Sequence, residues 1–396
     1  MSTKLKVPEG HSPLGGSGAS RWMKCPGSVS HSRGIIDEES DHAAVGTAAH
    51  ALAEHCLRFN LEAWSSIGVA MPNGVKVDKP MADAVQMYLD FVRREFGSTI
   101  GSPNAYIEHR FYCPSVHKLF FGATDFAYVD GAKRELVVID YKNGAGIVVE
   151  AKRNPQGMYY AVGMLEDLGL WHAVDTVRII IVQPNGFHHD GPIREWTVST
   201  DDLDAWLSDE LVPAMKLTEV SRETVSGEHC RFCPARSHAC PALVEDMNEL
   251  EDLMTVVASK EKGVEELTNG QVERLLELYE RATIVVKAAK LTAFNRLQNG
   301  ATFVKWKLGN ARVNREWKEE AEKELLAEFG EDAYEPKTLK SPAKIEALPK
   351  GKTFTARWAY KPEAGLALIR SDDARPAVNR DTKSLFTPVK KGRKAS

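Results

Sequence analysis

The run E-L-V-V-I-D-Y-K over residues 135–142 constrains the fold more than any other stretch of the chain. Its apolar residues read as a buried strand, yet it ends on Asp140 and Lys142. Because side chains alternate along a strand, these two share a face while Tyr141 takes the other. Just upstream, F-F-G-A-T-D-F-A-Y-V carries Asp125, and D-G-A-K-R between the two runs has the composition of a hairpin turn. Neighbouring strands would bring two carboxylates and an ammonium to one edge of a sheet. Such an edge can hold a divalent cation, its oxygen ligands suiting Mg²⁺, and a water whose pKa the ion lowers.

The rest of the element order fits around that pair. A-Y-I-E-H-R-F-Y (105–112) predicts a third strand, V-R-I-I-I-V-Q-P a buried strand ended by Pro184, and R-E-W-T-V a short fifth. Apolar periodicity predicts helices from about Asp41 to Phe59, from Pro80 to Phe96 and from Pro155 to Leu168. D-D-L-D-A-W-L-S-D-E-L opens another with an Asp cap. The expected class is α/β, a central mixed β-sheet flanked by helices, with a C-terminal helical extension. We expect four segments: residues 1–19, rich in Gly, Ser and Pro and without fixed structure; an α/β domain over 20–245; the helical extension over 246–340; and a basic, partly disordered tail over 341–396. Val272, Leu275, Leu276 and Tyr279 recur at helical spacing and read as a packing face. Between Lys340 and Ser396 nine Lys and five Arg face two Glu and three Asp. That tail could meet phosphates or be a solvated end.

The formal net charge of −4 means that any nucleic-acid reading rests on local patches. No apolar run reaches the roughly 18 residues of a membrane span, and M-S-T-K-L-K-V-P-E-G has no apolar core of the signal-peptide kind. A cytoplasmic protein is expected, in the host cell if phage-encoded. In a reducing compartment, the six cysteines at 25, 56, 113, 230, 233 and 240 read as metal ligands more readily than as disulfides. Cys56 and Cys113, on a helix and beside a strand, read as buried apolar side chains.

Two further pairs sit at helical i, i+4 spacing. In G-T-A-A-H-A-L-A-E-H, His50 and Glu54 share a face, and either could complete a metal shell or orient a water. In N-P-Q-G-M-Y-Y, Gln156 and Tyr160 share a face of the helix that follows the Lys142 strand. Gln156 could bond substrate or a metal-bound water, and Tyr160 could contact a phosphate or stack on a base. Each pair could equally be an ordinary polar helix face.

Taken in order, Gly46 to His50, Gly122 to Asp125, Asp140 to Lys142 and Gln156 to Tyr160 resemble the RecB-like branch of the PD-(D/E)xK nuclease superfamily. That branch orders its motifs as a G-x-x-x-H helix, a G-x-x-D strand, a (D/E)-x-K strand and a Q-x-x-x-Y helix. The resemblance spans about residues 20–245. It implies a restriction-endonuclease-like core with Mg²⁺ or Mn²⁺, His50, Asp125 and Asp140 as metal ligands and Lys142 as catalytic lysine. Glu54 is a ligand in some relatives only, and Asp140 stands where Glu is commoner. The segments A-S-R-W-M-K-C-P-G-S and W-K-L-G-N-A-R-V-N-R-E-W also look like a bacteriophage and prophage family of this superfamily.

H-C-R-F-C-P-A-R-S-H-A-C-P holds Cys230, Cys233 and Cys240, and three cysteines leave a tetrahedral site one ligand short. Cys25 is the natural fourth. One early and three late cysteines resemble the [4Fe–4S] arrangement of AddB-type and CRISPR-associated exonucleases, and thiolate-only ligation fits a cluster. The alternative is structural Zn²⁺ with His229 or His238 as fourth ligand.

The expected function is a DNA exonuclease acting on ends or single strands, in phage recombination or end processing, with a single-strand annealing protein as a possible partner. A catalytically silent DNA-binding or recombination-accessory protein on the same fold is the alternative. A restriction-type endonuclease lacks support, since no target-reading module is evident. Trp306 and Trp317, flanking Arg312 and Arg315, could form a stacking and phosphate surface or an ordinary strand pair.

Overall fold

The computed structural model describes residues 6–35, 41–144, 146–238, 240–308 and 352. The chain divides into two compact units, Met1–Val313 and Asn314–Ser396. Trp317, Arg312, Arg315 and nearly all of the basic tail lie outside the described residues.

The chain starts with two short helices, α1 (Ala19–Trp22) and α2 (Gly27–His31), then α3 (Asp41–Phe59) and α4 (Lys79–Phe96). Asp78 caps α4 by accepting the Met81 N–H at 2.8 Å. Strands β1 (Ala105–Tyr112), β2 (Phe121–Asp130) and β3 (Glu135–Tyr141) follow as antiparallel hairpins. Helix α5 (Pro155–Asp167) crosses to β4 (Thr176–Val182), parallel to β3, and β5 (Ile193–Ser199) returns antiparallel. The sheet is thus mixed, in the order β1-β2-β3-β4-β5. Helices α6 (Thr200–Trp206) and α7 (Val212–Val220), joined by a π-helical turn, lead to the cysteine segment. The α6 cap is Ser199, which accepts the Asp202 N–H at 3.1 Å, not the aspartate expected.

Alternation along the strands gives the sheet two buried faces. Leu136 and Val138 pack with Phe111, Tyr159 and Ile179 under α5, while Val137, Ile139 and Tyr141 pack with Phe126 and Ile180 under α3 and α4. Both faces are covered by helices, the layered α/β arrangement the strand pattern predicted. Cys56 and Cys113 sit within these two cores as expected. No helix among the described residues is long and apolar enough to cross a membrane.

The N-terminal stretch differs from its composition. Within the segment expected to lack fixed structure, Leu14 is 1% exposed. The Ser12 hydroxyl donates to the Leu119 carbonyl, and the Trp22 indole N–H donates to Gly15 O at 3.1 Å. Tertiary packing on α5 fixes a stretch that its own residues do not.

The helical region is also divided differently. α8 (Pro241–Ala258) and α9 (Asn269–Gln298) are separated by a break in which Gly263 takes φ +62°. Cys230 and Cys240 share a small core with Ala242 and Leu243 of α8 and Ile284 of α9. The boundary expected at 245 therefore falls inside α8, and cysteine segment and helical hairpin pack as one piece.

Candidate metal centre and cysteine nest

The lysine and the acids of the sheet meet where β3 ends. The register that pairs Phe126 with both Ile107 and Ile139 places Glu108, Asp125 and Asp140 at the next position on three adjacent strands. Asp125 accepts the Tyr141 N–H through Oδ2 at 2.7 Å. Its other oxygen lies 3.3 Å from His50 Nδ1, brought in from α3. Burial alone would push the His50 imidazole down, but the Asp125 carboxylate overrides it and holds the ring up to about 9. Asp125 shows the complement: burial would raise it, and the His50 and Lys142 charges with the Tyr141 N–H hold it below its ordinary value.

Asp140 is 2% exposed. Its carboxyl is raised by burial, against the pull of Lys142. Lys142 Nζ lies 2.9 Å from Asp140 Oδ2 and 3.2 Å from Oδ1, and hydrogen-bond angles are met only at Oδ1. Asp140 Oδ2 is thus buried without a hydrogen bond. The same ammonium donates to Gln156 Oε1 at 2.7 Å, and Gln156 Nε2 donates to the Tyr160 hydroxyl at 2.8 Å. Asn154 caps α5, accepting the N–H groups of Gln156 and Gly157 at 2.9 and 3.0 Å. Gly157 lets the helix lie close on β4, since a Cβ there would stand 2.6 Å from Ile179 Cγ2. Cap and glycine together set Gln156 over Lys142.

Glu54 is near enough for its charge to bear on Glu108 but is not among the three side chains that converge. It accepts from Arg58 at 2.8 Å, one turn further along α3. Glu108, which the sequence did not single out, does converge: ligand atoms of His50, Glu108 and Asp125 lie within 4.8 Å of one another. Asp140 stands beside this group and is not one of the three. Glu108 has φ +48°, and the β1–β2 ladder is interrupted at its position. Burial, then the neighbouring Asp125 charge, pushes its carboxyl up to about 8. The alternation of A-Y-I-E-H-R-F-Y reads as an ordinary strand, and only the single acid in the run hints at Glu108.

These donors fit a hard divalent ion. Two carboxylates and one imidazole converge, and Asp140 Oδ2, buried and ion-paired with Lys142 but without a hydrogen bond, stands beside them.

The four cysteines form a second site. Cys25, Cys230, Cys233 and Cys240 line one small pocket together with His31, His229 and Arg236. All four are free thiols and buried. Cys25 Sγ accepts the Val225 N–H and Cys230 Sγ the Gly227 N–H, each at 3.3 Å. Burial pushes the Cys25 thiol up, and that of Cys230 up to about 11. Gly27 fixes the approach of the early segment to the late one. Its N–H donates to Glu223 O at 2.8 Å, and a Cβ there would stand 2.3 Å from that oxygen. Of the two histidine alternatives, His229 lines the pocket, with Nε2 held by Val225 O at 2.9 Å, and His238, exposed, does not.

The chain belongs to the family described as Protein of unknown function (DUF2800), whose model matches residues 11–376. The match takes in both the metal centre and the cysteine nest.

Proposed function

We propose that this member of the family is a metal-dependent deoxyribonuclease of the RecB-like PD-(D/E)xK type, acting as an exonuclease on DNA ends or single strands. The observation that carries the reading is Lys142, whose ammonium is fixed by Asp140 and Gln156 beside the His50, Glu108 and Asp125 group. His50, Glu108 and Asp125, with the Asp140 carboxylate beside them, are the residues that would hold Mg²⁺ or Mn²⁺. A divalent ion there supplies Lewis acidity at the phosphate and a water acidic enough to attack near neutral pH.

The chain's own groups do the positioning. An ammonium has three donors. Asp140 and Gln156 take two, leaving the third to hold a phosphate oxygen or the attacking water. Gln156 cannot swing away, because its amide nitrogen is tied to Tyr160. The Asp125 carboxylate keeps its charge despite burial, so it stays ready as a ligand. Hydrolysis then adds water across one P–O bond, and the Lys142 charge offsets the charge growing on the phosphate.

For the cysteine nest we infer a [4Fe–4S] cluster rather than Zn²⁺, supported by four buried free thiols lining one pocket, a thiolate-only donor set. A cytoplasmic role in phage recombination or DNA end processing, beside a single-strand annealing protein, is consistent with this chemistry.

The test is anaerobic purification with iron and zinc quantified, then digestion of linear and circular DNA with Mg²⁺ or Mn²⁺. Linear DNA should be degraded by the native protein and left intact by Lys142→Ala. Equal activity of the two would overturn the catalytic assignment.

A further inference from the structure

Residues 282–308 carry Lys287, Lys290, Arg296, Lys305 and Lys307 and no acidic residue, in a chain whose net charge is −4. All five cations are exposed. Interleaved with them are Phe294, Phe303 and Trp306, exposed by 49%, 36% and 64%. Earlier on α9 the pattern is different: Arg274 is neutralised by Glu249 and Glu277, at 2.5 and 2.9 Å. The uncompensated charge is therefore confined to the second half of the helix and the residues after it.

This face contains a groove of about 300 Å³. Ala288, Ala289 and Ala293 leave room in it, and Arg236, Arg296 and Phe303 also line it. Arg236 belongs to the cysteine nest as well, donating to Cys233 O at 2.8 Å, so groove and nest are contiguous. The same segment adds exposed Arg231 and Phe232, the ring 68% exposed.

We propose that this face binds an unpaired nucleic-acid strand. Cations spaced along a helix match a phosphate backbone. Exposed rings between them match bases, which offer their flat faces only when unpaired. Large exposed rings interleaved with cations suit a polyanion with flat faces better than an acidic or apolar protein surface, which would not use both. The inference rests on the nuclease reading and names the form of its substrate: a single strand gripped beside the cysteine nest.

The test uses the full chain in EDTA, so that nothing is cleaved, and follows a fluorescein-labelled oligothymidylate by anisotropy as salt is raised. Replacing Lys290 and Arg296 together by Ala should weaken binding and reduce the slope of log K against log salt by about 1.4, about 0.7 per lost phosphate contact. Phe303→Ala should weaken binding about tenfold with the slope unchanged, and Phe303→Trp should restore it. Lys305→Ala with Lys307→Ala, outside any helix, gives the same slope test should the helical pair fail to fold. Wild-type affinity and slope in these variants overturn the proposal, whatever else covers the groove. So does a duplex that competes as well as the single strand. Parallel assays with Mg²⁺ separate the two ideas. Binding through this face without cleavage leaves the groove and removes the nuclease; cleavage with unaltered binding in the variants does the reverse.

Discussion

Glu108 is a glutamate in a backbone region where glycine is at ease, and holding it there costs about 1–3 kcal/mol. Its carboxyl is also buried next to Asp125. A cation bound as proposed would offset the burial of that charge, leaving the metal-free site the costlier one. Protons occupy the centre in the meantime. His50 is held up to about 9, so its contribution to stability is complete below its ordinary value of 6.5 and lost as pH rises through 9. Glu108, held up to about 8, destabilises progressively from its ordinary 4.5 upward, because the unfolded chain releases that proton first. The signs agree. In EDTA the Tm should fall between pH 6.5 and 9, and a flat profile in calorimetry would contradict these protonation states. Since ligands must shed protons to bind metal, Mn²⁺ affinity by titration calorimetry should rise over the same interval. Glu108→Gln should weaken Mn²⁺ at least about tenfold, the loss a merely supporting residue would cause, and raise the Tm in EDTA. Glu54→Ala should leave Mn²⁺ affinity unchanged; a matching loss would restore Glu54 as the ligand.

At the scale of elements, α5 decides whether Lys142 is aimed. Gly157→Ala would press a methyl into Ile179, an overpacking that costs about 1–3 kcal/mol. Because Gln156 precedes it, the same shift should loosen the Lys142–Gln156 bond. The expected result is a lower kcat with KM little changed, and a variant that loses Tm but keeps kcat would show the helix to be scaffold only. Helices and strands of the α/β region were legible in sequence because buried strands and capped helices carry their own periodicity, as E-L-V-V-I-D-Y-K and Asn154-Pro155 do. Three features were not. Glu108 follows strand alternation and shows its turn only through φ. Glu54 shares a face with His50, but helical spacing cannot reveal that Arg58, also one turn away, claims it. Leu14, in the segment read as lacking fixed structure, is held in the core under α5, contacts no local pattern encodes. Whether the long helical stretch beyond Pro241 breaks rests on Gly263, a residue tolerated within helices and thus ambiguous alone.

Across the whole molecule, Cys25 joins residues about two hundred positions away, and Gly27 docks against Glu223. Cys25→Ala should lower bound metal and the Tm together, and an unchanged metal content after anaerobic purification would remove Cys25 from the nest. The same closure has a consequence in time. A chain emerging from the ribosome presents Leu14, Trp22 and Cys25 first, while α5, the Glu223 carbonyl and the last three thiols arrive much later. Until residue 240 has emerged, the opening segment has no complete seat. A protein interrupted before that point keeps the Cys25 thiol without its three partners, so an unfinished chain is marked by the segment that carries it.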